Sequence, residues 1–409
     1  MKTQLYIGGK YVDASDGRMT PVVSPVTGET IARVAVPTTA DLDRAIAVAR
    51  EAQAQWRQVG VWQRAAVCRK IGELIDTRRD ELAKLLTLEQ GKPITESYAD
   101  VDETAELFRL HAEDAVRLHG ETLPANDPHK RMWTFYQPVG TWAIIIPWNF
   151  PVLMFSEFAA PGLATGNALV VKPPTHTPLT LLTLVDVLNE AGVPPGLINI
   201  LPGEGDFGAQ MVKHSGIDAI GFIGSSATAE KIVQTAGLKR TIIEASGNGP
   251  VVVLDDADLE AAAKAVVQGA YYNAGQVCCA TGRVLVHQAV HEDFIAAVKA
   301  AASEAVLGDP FDKNTTLGPM NNQRTAEKVD RHLQEAKERG FDIIIGGSRS
   351  SDYPTDLYYE FTVVDNVAPD SMLSVEETFG PVVPIIIGAN DDELLRLAND
   401  DALGLQGAV

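Results

Sequence analysis

The feature that most constrains this chain is a regular alternation between residues 142 and 244. Apolar runs at 142–146, 168–172, 197–201, 219–223 and 241–244 recur with amphipathic stretches between them, clearest at 179–191 and 227–236. Strands that are apolar throughout and separated by helices imply a parallel sheet covered on both faces. The last run, Thr241-Ile242-Ile243-Glu244, reads as a short buried strand ending on Glu244. In such sheets ligands bind beyond the carboxyl ends of the strands. Pro147-Trp148-Asn149, Lys172-Pro173-Pro174-Thr175, Gly224-Ser225 and Glu244 all fall there.

Around this block the pattern changes. Residues 1–38 read as short strand-like pieces with turns at Gly8-Gly9, Ser15-Asp16-Gly17 and Thr27-Gly28, and residues 39–119 as a layer of amphipathic helices. Residues 120–138, broken by Pro124 and by Asn126-Asp127-Pro128, suggest a protruding hairpin-like arm. After Gly247 a second α/β unit follows, with strands at Val251, Arg283, Ile343 and Val382 and helices over 292–305 and 325–340. A further helix is expected from Leu259, N-capped by Asp258, to near Gly275. Gln276-Val277-Cys278-Cys279 then lies in a connection, where loops present side chains to a cleft. Residues 403–409 read as a strand cut short, so the second unit is expected to be incomplete at its C-terminal side.

With 409 residues, two or three domains are expected, and 45% apolar content allows a large core. A formal charge of −20 argues against a nucleic-acid surface, which needs clustered Lys and Arg. The most apolar stretch, 141–164, is interrupted by Pro147, Asn149, Pro151 and Glu157, so it is read as strand, turn and helix, not a membrane span. Three cysteines without framework spacing, and an N-terminus without a signal-peptide pattern, fit a cytoplasmic protein. The eight histidines are scattered with no ligand motif, so they read as surface residues and no catalytic metal is expected.

Six motifs occur in order along the chain. They are Pro147-Trp148-Asn149-Phe150-Pro151, Gly166-Asn167-Ala168 through Lys172-Pro173, Phe222-Ile223-Gly224-Ser225, Glu244-Ala245-Ser246-Gly247, Gly275-Gln276-Val277-Cys278, and Glu377-Thr378-Phe379-Gly380-Pro381-Val382. Together they resemble the aldehyde dehydrogenase superfamily over nearly the whole chain. The resemblance implies a parallel-sheet, Rossmann-like nicotinamide-binding domain (1–119 and 139–246), a second α/β catalytic domain (247–409) and an oligomerisation arm (120–138).

It also implies roles. Cys278 resembles the nucleophile, and a thiol of ordinary pKa about 8.5 attacks well once partly ionised. Cys279 matches a variable position and reads as a bystander. Glu244 resembles the base that activates water against the thioester, and a carboxylate at a buried strand end is expected to have a raised pKa. Asn149, with the backbone N–H of Cys278, resembles the oxyanion-stabilising donor pair. On the cofactor side the resemblance implies Trp148, Lys172, Thr175, Gly224 and Ser225, with Glu377 on the nicotinamide ribose and Phe379 beside the nicotinamide. No Gly-x-Gly-x-x-Gly follows the first strand of the sheet; instead Gly224-Ser225 opens a helix whose N-terminus suits a pyrophosphate.

Departures from the family pattern carry consequences. Thr175 stands where NAD-preferring members commonly have Glu, so NADP is expected to be accepted alongside or ahead of NAD. Ala245-Ser246 and Asn248 replace residues usual beside the nicotinamide. Phe150, Met154 and Glu157 share a helical face at the substrate side, and Glu157 would favour a cationic or polar aldehyde if it faces the substrate and be a solvated charge if it does not. The expected activity is NAD(P)-dependent oxidation of an aldehyde to an acid by a protein that self-associates to a dimer or tetramer. The alternatives are transfer of the acyl group to coenzyme A, against which Glu244 argues, and a non-catalytic binding scaffold.

Overall fold

The computed structural model describes residues 1–409 as two units. The first comprises Met1–Val22, Ile31–Leu85 and Tyr98–Glu244; the second comprises Val23–Thr30, Leu86–Ser97 and Ala245–Val409. The second therefore holds two stretches, 23–30 and 86–97, that the sequence division leaves with the first.

The strands of the N-terminal half are β1 (Leu5–Ile7), β2 (Lys10–Val12), β3 (Met19–Val23), β4 (Thr30–Ala35), β5 (Thr122–Leu123), β6 (Met132–Trp133), β7 (Thr141–Ile145), β8 (Ala168–Lys172), β9 (Ile198–Ile200), β10 (Ala219–Gly224) and β11 (Arg240–Ala245). The helices are α1 (Thr39–Trp56), α2 (Val61–Thr77), α3 (Arg79–Gln90), α4 (Ile94–Arg117), α5 (Pro151–Thr165), α6 (Leu179–Glu190), α7 (Gly205–Lys213) and α8 (Ser226–Ala236). Seven strands form one sheet in the order β11-β10-β7-β8-β9-β1-β2. β10, β7, β8 and β9 are mutually parallel, and β1 and β2 add antiparallel at one edge. Every residue of β8 is buried, as the unbroken apolar run requires.

The parallel part of the sheet starts in its middle. From β7 the chain proceeds to β8 and β9 on one side and then returns to β10 and β11 on the other, so a topological switch point lies between β7 and β10. The register pairs Ile145 with both Lys172 and Phe222, which sets the carboxyl ends of β7, β8 and β10 side by side.

β11 differs from expectation. It is an edge strand paired only through β10, and its residues are exposed or half-buried, with Ile242 57% exposed. An apolar run does not by itself distinguish a central strand from an edge. The arm, β5 paired antiparallel with β6, exposes Met132 and Trp133, followed by exposed Phe135 and Tyr136.

The second unit holds β12 (Pro250–Val253), β13 (Arg283–His287), β14 (Asp342–Ile345), β15 (Thr362–Asp365) and β16 (Val382–Gly388), with α9 (Leu259–Tyr271), α10 (His291–Ala302), α11 (Gln323–Arg339), α12 (Met372–Val375) and α13 (Asp391–Asn399). Its sheet runs β12-β13-β16-β15-β14, parallel except for β14. α9 and α10 cover one face with a core around Val266, Phe294 and Ile385; α11 and α13 cover the other around Leu333, Ile386 and Leu394. Asp258 caps α9 through the Ala261 N–H at 3.1 Å, as its position suggests. At the chain's end Ala408 bridges in parallel to Val251 beside β12.

Candidate active site

In the first unit the expected cofactor residues gather at the switch point. Lys172 ends β8, is buried, and donates only a long 3.4 Å hydrogen bond to the Pro173 carbonyl. Burial brings its pKa down to about 8, and the carboxylate of Glu204 acts in the opposite sense. Glu204 was not singled out in the sequence, although the signal was there: Gly203-Glu204-Gly205-Asp206-Phe207-Gly208 is a Gly-x-Gly-x-x-Gly run, placed after β9 instead of after the first strand, and it opens α7. Gly208 leaves room for the lysine stem, since a Cβ there would stand 3.4 Å from the Lys172 Cδ. Thr175 is half-buried and its hydroxyl donates to the Gly203 carbonyl at 3.4 Å. Gly224 ends β10 and Ser225 is the N-cap of α8, with its Oγ 3.0 Å from the Thr228 hydroxyl.

Asn149 is buried in the turn between β7 and α5, and the neighbouring Trp148 carbonyl accepts a 3.1 Å bond from the Thr177 hydroxyl. Pro151 at the start of α5 fixes the helix entry, with Phe150 as N-cap. A cavity of ≈ 720 Å³ in this unit is lined by Glu157 and Glu244 together, with Arg64, Arg240, Trp142 and Phe158. Phe150 and Met154 are not on its wall. Burial pushes the Glu157 carboxyl above its ordinary pKa; His111 opposes this, while Glu244 and Glu103 add to it. Glu244 itself is half-buried on the edge strand, not the deeply covered carboxylate anticipated from sequence.

In the second unit α9 stops at Tyr271, four residues earlier than expected. Asn273 and Ala274 take left-handed backbone, φ +50° and +54°, followed by Gly275 at +70°. Such backbone costs a non-glycine residue about 1–2 kcal/mol, so local preference alone favours the helix that the sequence suggests. Gly275 is required here, because a Cβ would lie 2.1 Å from the Gly380 carbonyl oxygen. The turn delivers half-buried Cys278 and exposed Cys279. Cys278 lines a narrow cleft of ≈ 20 Å³ with Gly247, Asn248, Glu377 and Phe379.

The Glu377 carboxylate accepts from the Gly247 N–H at 3.0 Å. Burial raises its pKa, while Gly247, Lys328 and Ser246 pull it down; Lys328 also donates to the Glu377 carbonyl. Asn248 turns inward, its amide donating to the Ser374 carbonyl and to Asp401, both at 2.8 Å. One histidine departs from the surface expectation: His332 is fully buried on α11, 3.2 Å from both Glu376 and Thr378. No group of three or more His, Cys, Asp or Glu is arranged to hold a metal.

Comparison with known proteins decides the family: the model described as "Aldehyde dehydrogenase family" matches residues 11–409. The chain belongs to the aldehyde dehydrogenase family. It is 38% identical to the mitochondrial succinate-semialdehyde dehydrogenase of Arabidopsis thaliana, over all of this chain and 78% of that protein. A solved 3,6-anhydro-L-galactose dehydrogenase in complex with NAP superposes with TM-score 0.95 at 32% identity, over 98% of this chain and 85% of the other. The betaine aldehyde dehydrogenase of Staphylococcus aureus in complex with NAD+ gives 0.96 at 34%, over 100% and 82%. This aldehyde dehydrogenase is thus an α/β oxidoreductase that uses a nicotinamide cofactor to oxidise an aldehyde. No helix of it is long and apolar enough to cross a membrane.

Proposed function

We propose that Cys278 is the nucleophile, Glu244 the water-activating base, and Asn149 with the Cys278 backbone N–H the donors that stabilise the oxyanion. The observation that carries this reading is the cleft that Cys278 lines together with Glu377 and Phe379. The Cys278 thiolate adds to the aldehyde carbon, a C–S bond forms, and the carbonyl electron pair moves onto oxygen, where the two donors hold it. Bound nicotinamide supplies the acceptor for the hydride that this carbon gives up, leaving a thioester on Cys278. Glu244 then takes a proton from water, whose oxygen adds to the thioester carbon; the C–S bond breaks, the thiolate returns and the acid leaves.

The residues of the first unit fit such a cofactor. Lys172 is a buried cation whose amino group donates only a long hydrogen bond to a carbonyl, and the first turn of α8 presents amides suited to a pyrophosphate. Glu377 and Phe379 would hold the nicotinamide ribose and ring. Trp148, Gly224 and Ser225 complete the set, and Thr175 supports acceptance of NADP as well as NAD.

For substrate, Glu157 lines the same cavity as Glu244 and its carboxylate supports a cationic or polar aldehyde, with the cations of Arg64 and Arg240 lining that cavity too. Phe150 and Met154 do not line that cavity, so their place in a substrate pocket rests on the helical face they share with Glu157. The cytoplasm remains the proposed location, to be checked by cell fractionation; three free cysteines suit a reducing compartment.

The test is reduced-cofactor formation with paired cationic and anionic aldehydes, comparing wild type with Cys278→Ala. We expect a loss of about 10³-fold or more in kcat with fold retained, a higher kcat/KM for the cationic aldehyde, and free acid as product. Turnover in Cys278→Ala would remove the nucleophile assignment. Acyl-coenzyme A as the product would replace hydrolysis by acyl transfer.

A further inference from the structure

The left-handed turn before Cys278 is held from a part of the chain nearly two hundred residues away. Residues 90–96, within the second unit, leave α3 through Gly91 at φ +101°. A Cβ on Gly91 would meet Pro25 Cγ at 2.9 Å and Pro319 Cγ at 3.2 Å, and the Ile94 N–H donates to the Pro310 carbonyl at 2.7 Å, so this segment is itself pinned. Two of its side chains reach the turn. Gln90 Nε2 donates to Asn273 Oδ1 at 2.9 Å, while Gln90 Oε1 accepts from the Lys92 N–H at 2.7 Å. Glu96, in the first turn of α4, accepts from the Asn273 N–H at 2.8 Å.

Asn273 is therefore gripped at its backbone and at its side chain. Its carbonyl in turn accepts from Gln276 N at 3.0 Å and Nε2 at 2.8 Å, and Gln276 Oε1 accepts from the Asn321 N–H at 2.9 Å. Left-handed conformers of this kind persist only where the surroundings over-determine them. Without those partners, Tyr272 and Ala274 favour continuing α9, while Asn273 and Gly275 tolerate either conformation. Each residue added to a helix turns the chain by about 100°, which would swing Cys278 away from its present direction.

We propose that Glu96 and Gln90 are positioning residues for aldehyde oxidation, locking Asn273–Gly275 in its left-handed form and so setting the direction of the Cys278 thiol. This rests on the reading of Cys278 as nucleophile. The environment of Glu96 agrees with a dedicated role. Burial pushes its carboxyl up to about 8, with the Asn273 N–H and the Lys92 charge pulling the other way, and a carboxyl is costly to hold out of water without a firm partner.

The test compares Glu96→Leu, Gln90→Leu and Glu96→Gln for kcat, KM and the rate of Cys278 alkylation by iodoacetamide, in a Cys279→Ala background where the other remaining thiol, Cys68, is buried. Both leucine variants should lose about 10–100-fold in kcat, the scale of a misplacement near 1 Å, with slower alkylation and KM within about threefold. Glu96→Gln keeps an acceptor oxygen and should recover kcat to within about threefold of wild type. Wild-type kcat and alkylation in Glu96→Leu would overturn the proposal, as would a Glu96→Gln variant as impaired as Glu96→Leu. Should Glu96→Leu not fold, Gln90→Leu carries the same expectation, and wild-type behaviour there overturns it. Turnover in Cys278→Ala would instead sink the nucleophile assignment beneath it.

Discussion

In the proposed cofactor site, Lys172 makes cofactor choice depend on more than a single position. Thr175 lacks the carboxylate that would repel a 2′-phosphate, but Glu204 brings one toward the same lysine from another loop. The two act in opposite directions, so both are testable. Thr175→Glu should raise KM for NADP about tenfold, the factor that ~1.4 kcal/mol of repulsion supplies, while Glu204→Gln should lower it. Initial-rate titrations with NADP and NAD decide; a Thr175→Glu variant with unchanged cofactor preference would refute the assignment. The roles proposed for Cys278, Glu244 and Asn149 come from residue type and from motifs, which a sequence displays. Glu96 was not legible in that way, since a lone glutamate in sequence carries no sign of which N–H it will face, and the Gly-x-Gly-x-x-Gly run around Glu204 does not say which lysine that carboxylate will approach.

Elements show a similar divide. α9 begins where Asp258 says it should, because capping is a local interaction, but it stops at Tyr271 because tertiary hydrogen bonds override local preference. At the start of β13, Arg283 and Asp401 form an ion pair at 3.1 Å with side chains only 3% and 4% exposed. The guanidinium also donates to the Leu397 and Ala398 carbonyls, and Asp401 accepts from Asn248. Removing one partner leaves an uncompensated buried charge, so Asp401→Ala should lower stability by about 3–5 kcal/mol in urea denaturation. A loss typical of a surface residue would contradict this.

Glu96 adds a pH dependence whose sign is fixed. Its carboxyl titrates at about 8 when folded against an ordinary 4.5, so between those values the folded chain holds a proton that the unfolded chain has released. Stability from this group is present below pH 4.5 and falls as pH rises to about 8. Glu96→Gln should therefore flatten the decline of the unfolding midpoint across that window, and parallel profiles for the two proteins would count against it.

For the whole molecule, the arm is the feature that a solitary chain explains least. Trp133 and Phe135 are each 65% exposed and Tyr136 72%, a run of aromatics of the kind enriched in interface cores. We propose that it carries self-association, as the resemblance implies. Truncating an aromatic anchor typically costs about 2 kcal/mol or more of association energy, so Trp133→Ser should shift the mass measured by light scattering toward the monomer. A wild type that is already monomeric, or a variant of unchanged mass, would dismiss the arm as an interface.

The alternation of apolar strands with amphipathic helices, the capping residues, the six motifs and the excess of acid were determined by the sequence alone, because each depends on neighbours a few residues apart or on composition. Only the tertiary structure decided that β11 is a half-exposed edge, that 86–97 joins the second unit, that His332 is buried, and that the turn at Asn273 is left-handed. Those outcomes depend on partners distant in the chain, whose burial and hydrogen bonds outweigh the small local preferences that a sequence displays.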